Sequence, residues 1–242
     1  MRTEEIQQWY NDALRKGAAP YERTRWFSSP QARAAYAMVK KVLAREVRPR
    51  LKKGAAVLEL GPGPGTWTRE LLSYAPEVAV DAVELSEEML AQARTALAGR
   101  EGVRFFREDF LSFTPERRYD FFFSSRALEY LPDKKAAVEK AARALAPGGM
   151  GCIITKMPHY RRSRLMGRSV AAPHAGQISP SALKALMEEA GLRVVRVVPV
   201  TLVFPRLGSA ILDRALFALF SRMPLNPLSA PFTESYAMVF AK

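Results

Sequence analysis

The chain has 242 residues, 48% of them hydrophobic, enough to bury one large core or one domain with a small appendage. Its 37 Lys and Arg against 24 Asp and Glu leave a net charge of +13, a surplus that suits an anionic partner: nucleic acid, anionic lipid or a phosphorylated metabolite. One cysteine excludes a disulfide framework or a Cys-rich zinc site, no metal site is indicated, and neither a signal-peptide pattern nor a run of about 18 uncharged apolar residues is found, which predicts a cytoplasmic protein.

In chain order, Arg2 to Lys16 reads as a helix with Ile6, Trp9, Tyr10, Ala13 and Leu14 on one face. Pro30 to Glu46 reads as another, with Ala34, Met38 and Val42 inward. Between them Pro20 to Phe27 is an aromatic-rich connection containing Tyr21 and Trp26. From residue 54 to 158 strand and helix patterns alternate. Strands are predicted at Ala55–Leu60, Val78–Leu85, Val103–Glu108, Tyr119–Ser124 and Met150–Lys156, and helices at Trp67–Tyr74, Glu87–Ala98 and Lys134–Ala146. Such alternation predicts a parallel sheet with helices on both faces.

The stretch VLELGPGPGTWT, Val57 to Thr68, carries the chemistry. A short apolar strand containing Glu59 runs into Gly61, Gly63 and Gly65, and a helix follows at once; glycine lacks the Cβ that would keep a nucleotide-like ligand off the backbone. Pro62 and Pro64 have no N–H, so the turn lacks two donors that a pyrophosphate would use and suits a ligand without phosphates. About 20 residues further on, Glu84 ends the second strand, where a carboxylate can accept both ribose hydroxyls of an adenosine.

With these residues the chain resembles the class I S-adenosylmethionine-dependent methyltransferases, whose first motif is an acid followed by a G-x-G-x-G turn. The resemblance implies S-adenosyl-L-methionine as cofactor, with Glu84 and Leu85 at the ribose and Gly61, Gly63 and Gly65 against the methionine part. Asp109 and Phe110, just past the third strand, occupy the positions that meet the adenine amine and ring in that family. Met89 packs on adenine or fills the core, and Ser86 binds or caps its helix. Ser124 and Ser125, at the carboxyl end of the fourth strand, would lie beside the sulfonium. Ala146-Pro147-Gly148-Gly149 matches the family's turn into the fifth strand. An N-terminal lid over residues 1–53 is implied as well, with Trp9, Tyr10, Tyr21 and Trp26 as its aromatic candidates or as core. Ser124-Ser125-Arg126 replaces the Asn/Asp-Pro-Pro-aromatic turn of the enzymes acting on exocyclic amines of bases. Cys152, within an apolar strand, is no pyrimidine C5 nucleophile. Both subclasses are disfavoured.

After the fifth strand a loop rich in Arg, without an acidic residue from Lys140 to Met187, holds both histidines. His174, then Tyr160 and His159, are the candidate bases for the acceptor, His174 being equally suited to bonding the loop backbone. Ser181–Ala190 reads as a helix, Leu192–Val203 as the sixth strand and Ser235–Ala241 as the last. The insertion at 204–233 is broadly apolar with Arg206, Arg214 and Arg222 interspersed, which suits a helix packed on the sheet edge or in a homodimer, or a peripheral contact with an anionic membrane. The expected fold is α/β: a three-layer sandwich with a mostly parallel seven-stranded sheet whose last strand is antiparallel, spanning 54–242, plus the N-terminal helices. The expected function is methyl transfer to O or N of a small or amphiphilic acceptor such as a lipid, quinone precursor or lipid-linked sugar. The alternatives are an RNA- or ribosome-associated methyltransferase, for which nucleic acid would be the partner, and a non-catalytic cofactor-binding scaffold.

Overall fold

The computed structural model describes residues 20–158, 176–204 and 209–242. His159, Tyr160 and His174, as well as Trp9 and Tyr10, lie outside them. In chain order the elements are α1 (Tyr21–Phe27), α2 (Pro30–Glu46), β1 (Ala56–Leu60), α3 (Thr66–Tyr74), β2 (Ala79–Glu84), α4 (Glu87–Ala96), β3 (Val103–Arg107), β4 (Tyr119–Ser125), α5 (Lys134–Ala144), β5 (Leu145–Lys156), α6 (Pro180–Glu189), β6 (Arg193–Leu202), α7 (Ala210–Phe220) and β7 (Thr233–Ala241). Helix starts follow local capping chemistry: Ser29, Ser86, Asp133, Ser179 and Ser209 each accept from the backbone N–H three residues on.

The strands form one 7-stranded sheet in the order β3, β2, β1, β4, β5, β7, β6. The first five are mutually parallel, and β7 runs antiparallel between β5 and β6, as expected from the sequence. Central strands are buried on both faces, so side chains alternate between two cores. Phe121 and Phe123 of β4 join Val57, Val80 and Ile154 under α2 and α3, whereas Phe122 joins Leu58, Ile153 and Met238 under α5 and α6. Register brings the strand ends level: Leu60 lies opposite Val83 and Ser124, and Glu84 opposite Arg107. The turns after β1, β2, β3 and β4 therefore open along one edge.

Two local expectations are corrected. Pro20 to Phe27 is not a mere connection but contains the helix α1, begun after Pro20 and ended by Ser28-Ser29-Pro30. β5 starts directly at Leu145, with Pro147-Gly148-Gly149 inside it, because pairing with β4 resumes through a register shift between Tyr119 and Phe121. α7 packs Phe217 inward on α2 and β6, and its buried Asp213 accepts from the Phe204 N–H at 2.7 Å.

Candidate active site

The switch point of the sheet lies between β1, whose crossover goes to β2, and β4 on the other side; in such sheets ligands sit outside the carboxyl ends of these strands. A cavity lies there, and α1 covers it. Gly61, Pro62, Gly63 and Thr66 line it from the first turn, Glu84, Leu85 and Met89 from the second, Glu108, Asp109 and Phe110 from the third, and Ser125 and Arg126 from the fourth.

The glycine turn is held by its own backbone. Gly61 N–H donates to Val83 O at 2.9 Å, Gly65 N–H to Pro62 O at 3.1 Å, and Gly63 N–H to Glu84 Oε2 at 3.1 Å. With Pro62 and Pro64 lacking N–H groups, none of these five turn residues has a backbone donor to spare for a phosphate. Gly61 has φ +67, and a Cβ there would meet the Ala127 Cβ at 2.3 Å. Only glycine closes this turn against the segment after β4.

Glu84 binds the turn to β2. Its Oε1 accepts from the N–H groups of Leu85 and Ser86 at 2.9 and 3.0 Å, opposite the Gly63 bond on Oε2. Burial raises its pKa above the ordinary carboxylate value, and the backbone donors of Ser86, Gly63 and Leu85 offset part of that rise. Such a fixed carboxylate at the cavity wall can accept from hydroxyls of a ligand. Asp109 caps the next turn, its Oδ1 accepting from Leu111 N–H at 2.9 Å. Phe110 is buried beside Phe122, while Met89 is buried at the start of α4 and lines the same cavity.

Three residues of the predicted set do not line the cavity. Glu59 points beneath the turn, where its Oε2 accepts from Thr68 Oγ1 at 2.8 Å; burial pushes its pKa up to about 8, the Thr68 hydroxyl opposing and nearby Glu84 adding to the rise. Gly65 caps α3 with φ +79 and packs near Leu97 and Ala93. Ser124 is wholly buried, and its Oγ has no hydrogen-bond partner. Thr66 does line the cavity, and its Oγ1 is likewise buried and unpartnered.

Sequence reasoning missed the groups at the β4 and β5 end. Arg126 lines the cavity, and Glu129 lies buried beneath it, accepting from Arg126 Nε at 2.8 Å, Thr155 Oγ1 at 2.9 Å and Lys156 N–H at 3.1 Å. Their spacing of three residues on the turn after a strand was the available signal. From above, α1 contributes Tyr21, Arg25 and Trp26, fastened by Trp26 against Trp67 and Tyr36 at ring-centroid distances of 5.3 and 5.9 Å and by Arg69 to Glu22 at 2.6 Å. Among the described residues no cluster of His, Cys, Asp and Glu could hold a metal ion.

Known proteins share the domain and the fold. Residues 57–149 match a family model described as a methyltransferase domain. Trans-aconitate 2-methyltransferase of Methylobacterium nodulans is 38% identical over 122 residues, covering 49% of this chain and 45% of that protein. Malonyl-[acyl-carrier protein] O-methyltransferase 2 of Ilyobacter polytropus is 27% identical over 94 residues, covering 39% and 36%. The matches thus span less than half the length of these relatives. Among solved structures, the N-methyltransferase NodS of Bradyrhizobium japonicum, in complex with S-adenosyl-l-homocysteine, superimposes with a TM-score of 0.64 at 16% identity, covering 98% of this chain and 97% of that one. At that identity the likeness is one of fold.

Proposed function

We propose, from the premise that residues 57–149 are a class I S-adenosylmethionine-dependent methyltransferase domain, that the chain binds S-adenosylmethionine along the β1, β2 and β4 edge and transfers its methyl group to O or N of a small or amphiphilic acceptor. The observation that carries this reading is the convergence of the Gly61 to Gly65 turn, Glu84, and Asp109 with Phe110 on one cavity. The residues fit the cofactor. Glu84 accepts from the ribose hydroxyls, Leu85, Met89 and Phe110 give an apolar bed for the ring, and Asp109 meets its amine. Gly61, Gly63 and Ser125 take the methionine side; Glu59, Gly65 and Ser124 support the turn from behind. Because the turn's own donors are used internally, an adenosyl group without phosphates is favoured over a dinucleotide.

Bound there, the cofactor supplies an electrophilic methyl on a sulfonium, so the protein's task is to align an acceptor with it and exclude water. α1 serves as the lid, with Tyr21 and Trp26 over the cavity. His174 and Tyr160 are the proposed bases for an acceptor that must lose a proton. The acceptors for which these relatives are named, trans-aconitate and malonyl-[acyl-carrier protein], are a small-molecule and a carrier-bound acid. An amphiphilic acceptor draws support from the outer face of α7, where Ile211 is 78% and Leu219 64% exposed, with Arg214 and Arg222 nearby along the chain, a face suited to an anionic membrane surface or a second copy of the chain. No helix among the described residues is long and apolar enough to cross a membrane. The RNA-directed alternative rests on the charge of +13 alone.

The test is calorimetric titration with S-adenosylmethionine and S-adenosylhomocysteine. Micromolar binding by the intact protein, weakened at least tenfold in Glu84→Ala because charged hydrogen bonds are worth about 1.5–3 kcal/mol each, is expected. Absence of binding by the intact protein overturns the reading and moves the scaffold alternative, with some other ligand, to the front.

A further inference from the structure

We propose that Arg126 and Arg25 form a clamp for a carboxylate of the acceptor, which makes the acceptor an organic acid; the inference rests on the methyltransferase reading and names the substrate class of that same site. Glu84 and Asp109 lie at the β2 and β3 end of the cavity and the glycine turn in its middle, so the β4 and β5 end, where Arg126 stands, is left for the acceptor.

Arg126 is held in an unusual way. Among the described residues it is the one non-glycine residue at positive φ, +66, a strained conformation for a residue with a Cβ. Its N–H donates to Ile154 O at 2.8 Å, and its Nε to Glu129 Oε1 at 2.8 Å. Glu129 is in turn fixed by Thr155 Oγ1 and the Lys156 N–H, which makes it a positioning residue. Among the described residues the guanidinium makes that one hydrogen bond. Its Nη1 and Nη2 have no acceptor among the described residues, on a side chain that is 19% exposed and lines the cavity. A paired N–H edge of this kind matches the two oxygens of a carboxylate.

Arg25 approaches from the lid. Its guanidinium stacks on Trp26, 4.2 Å from the ring centroid, has no hydrogen-bond partner among the described residues, and lines the same cavity. Around this end, Arg25, Arg126, Lys156 and Lys134 stand against three carboxylates, Glu129, Glu234 and Asp213, with Lys156 Nζ 3.4 Å from Glu234. The surplus is felt by Glu234: although burial opposes ionisation, Lys156, Arg126 and Arg25 hold its pKa below the ordinary value. A neutral acceptor would leave that positive field uncompensated beside a sulfonium. An anionic acceptor neutralises it.

The experiment is calorimetry on the full chain. First S-adenosylhomocysteine is titrated alone, then glutarate, tricarballylate and decanoate into protein saturated with it, with glutaramide as the uncharged control. At least one carboxylate is expected to bind in a salt-sensitive manner while glutaramide does not. Arg126→Gln is expected to weaken that binding tenfold or more and Arg25→Gln several-fold, both with S-adenosylhomocysteine affinity within twofold. Arg25→Gln breaks no hydrogen-bonded ion pair among the described residues, so it keeps the test valid even where Arg126→Gln fails to fold and leaves Glu129 unpaired. Loss of S-adenosylhomocysteine affinity in the arginine variants would overturn the proposal, since the clamp would then hold the cofactor's own carboxylate. So would equal binding of glutaramide, or no binding of any carboxylate by a protein that binds S-adenosylhomocysteine. Failure of S-adenosylhomocysteine itself to bind the intact protein is a different result: it removes the methyltransferase reading and this inference with it.

Discussion

Replacing Glu59 with Gln tests whether the buried acid beneath the glycine turn is protonated at neutral pH. Glu59 is 1% exposed, and it accepts a hydrogen bond from the Thr68 hydroxyl, which Gln can still engage. Its pKa rises from an ordinary 4.5 to about 8 on folding, chiefly because burial disfavours the charged form. The sign follows from linkage: the unfolded chain releases this proton near pH 4.5 while the folded chain keeps it until about pH 8, so stability is full below 4.5 and declines as pH rises through that window. Taking the two values at face value, the loss is about 1 kcal/mol at pH 5 and about 3 kcal/mol at pH 7. Glu59→Gln carries no such proton. Its stability relative to the parent protein should therefore grow by about 2 kcal/mol between pH 5 and pH 7. Urea unfolding followed by circular dichroism at pH 5, 6, 7 and 8, on ligand-free protein, measures it. Parallel pH dependences for the two proteins would refute the reasoning and show that Glu59 is ionised in the folded state.

The two turn glycines should separate crowding from backbone strain. Gly61→Ala combines φ +67 with a 2.3 Å approach to Ala127 and is expected to cost about 2–5 kcal/mol and abolish S-adenosylhomocysteine binding, whereas Gly63→Ala, with φ +55 but no atom within 4 Å, should cost only about 1–2 kcal/mol; equal losses in thermal unfolding would discount the clash. Asp81→Asn removes a buried carboxylate that accepts from Arg104 at 2.7 and 2.8 Å and from Tyr119 OH at 2.8 Å, and should destabilise the fold by about 3 kcal/mol without altering ligand affinity. These donors keep the Asp81 pKa low, so the deficit should shrink as pH falls through the carboxylate range, and a pH-independent deficit would contradict the ion-pair account. Trp26→Ala takes the keystone from the Trp26, Tyr36 and Trp67 cluster; a loss of about 3 kcal/mol by urea unfolding and a weaker S-adenosylhomocysteine complex are expected, and unchanged affinity would remove α1 from the site.

The sequence by itself determined what depends on neighbours along the chain. Gly61, Gly63 and Gly65 announce a turn because positive φ is a local property, and all three have it. Alternation of strands and helices placed Glu84 and Asp109 because each parallel βα unit returns the chain to the same sheet edge. Only the tertiary structure decided which side chains face the cavity. The run Phe121, Phe122, Phe123 reads as uniformly apolar, yet pairing sends its members to opposite cores. Glu59 and Ser124 lie in strands whose ends form the site, yet the cavity lining begins one residue beyond each. α1 is too short, at 7 residues, for periodicity to show a buried face, and tertiary contacts, its aromatic packing on α2 and α3 and the Arg69–Glu22 pair, fix it over the site. Arg25 and Arg126 come from distant parts of the chain, so neither spacing nor composition could pair them. The physical reason is the same in each case: propensity and turn geometry act within a few residues, whereas the burial and charge that make a site arise where remote segments close on one another.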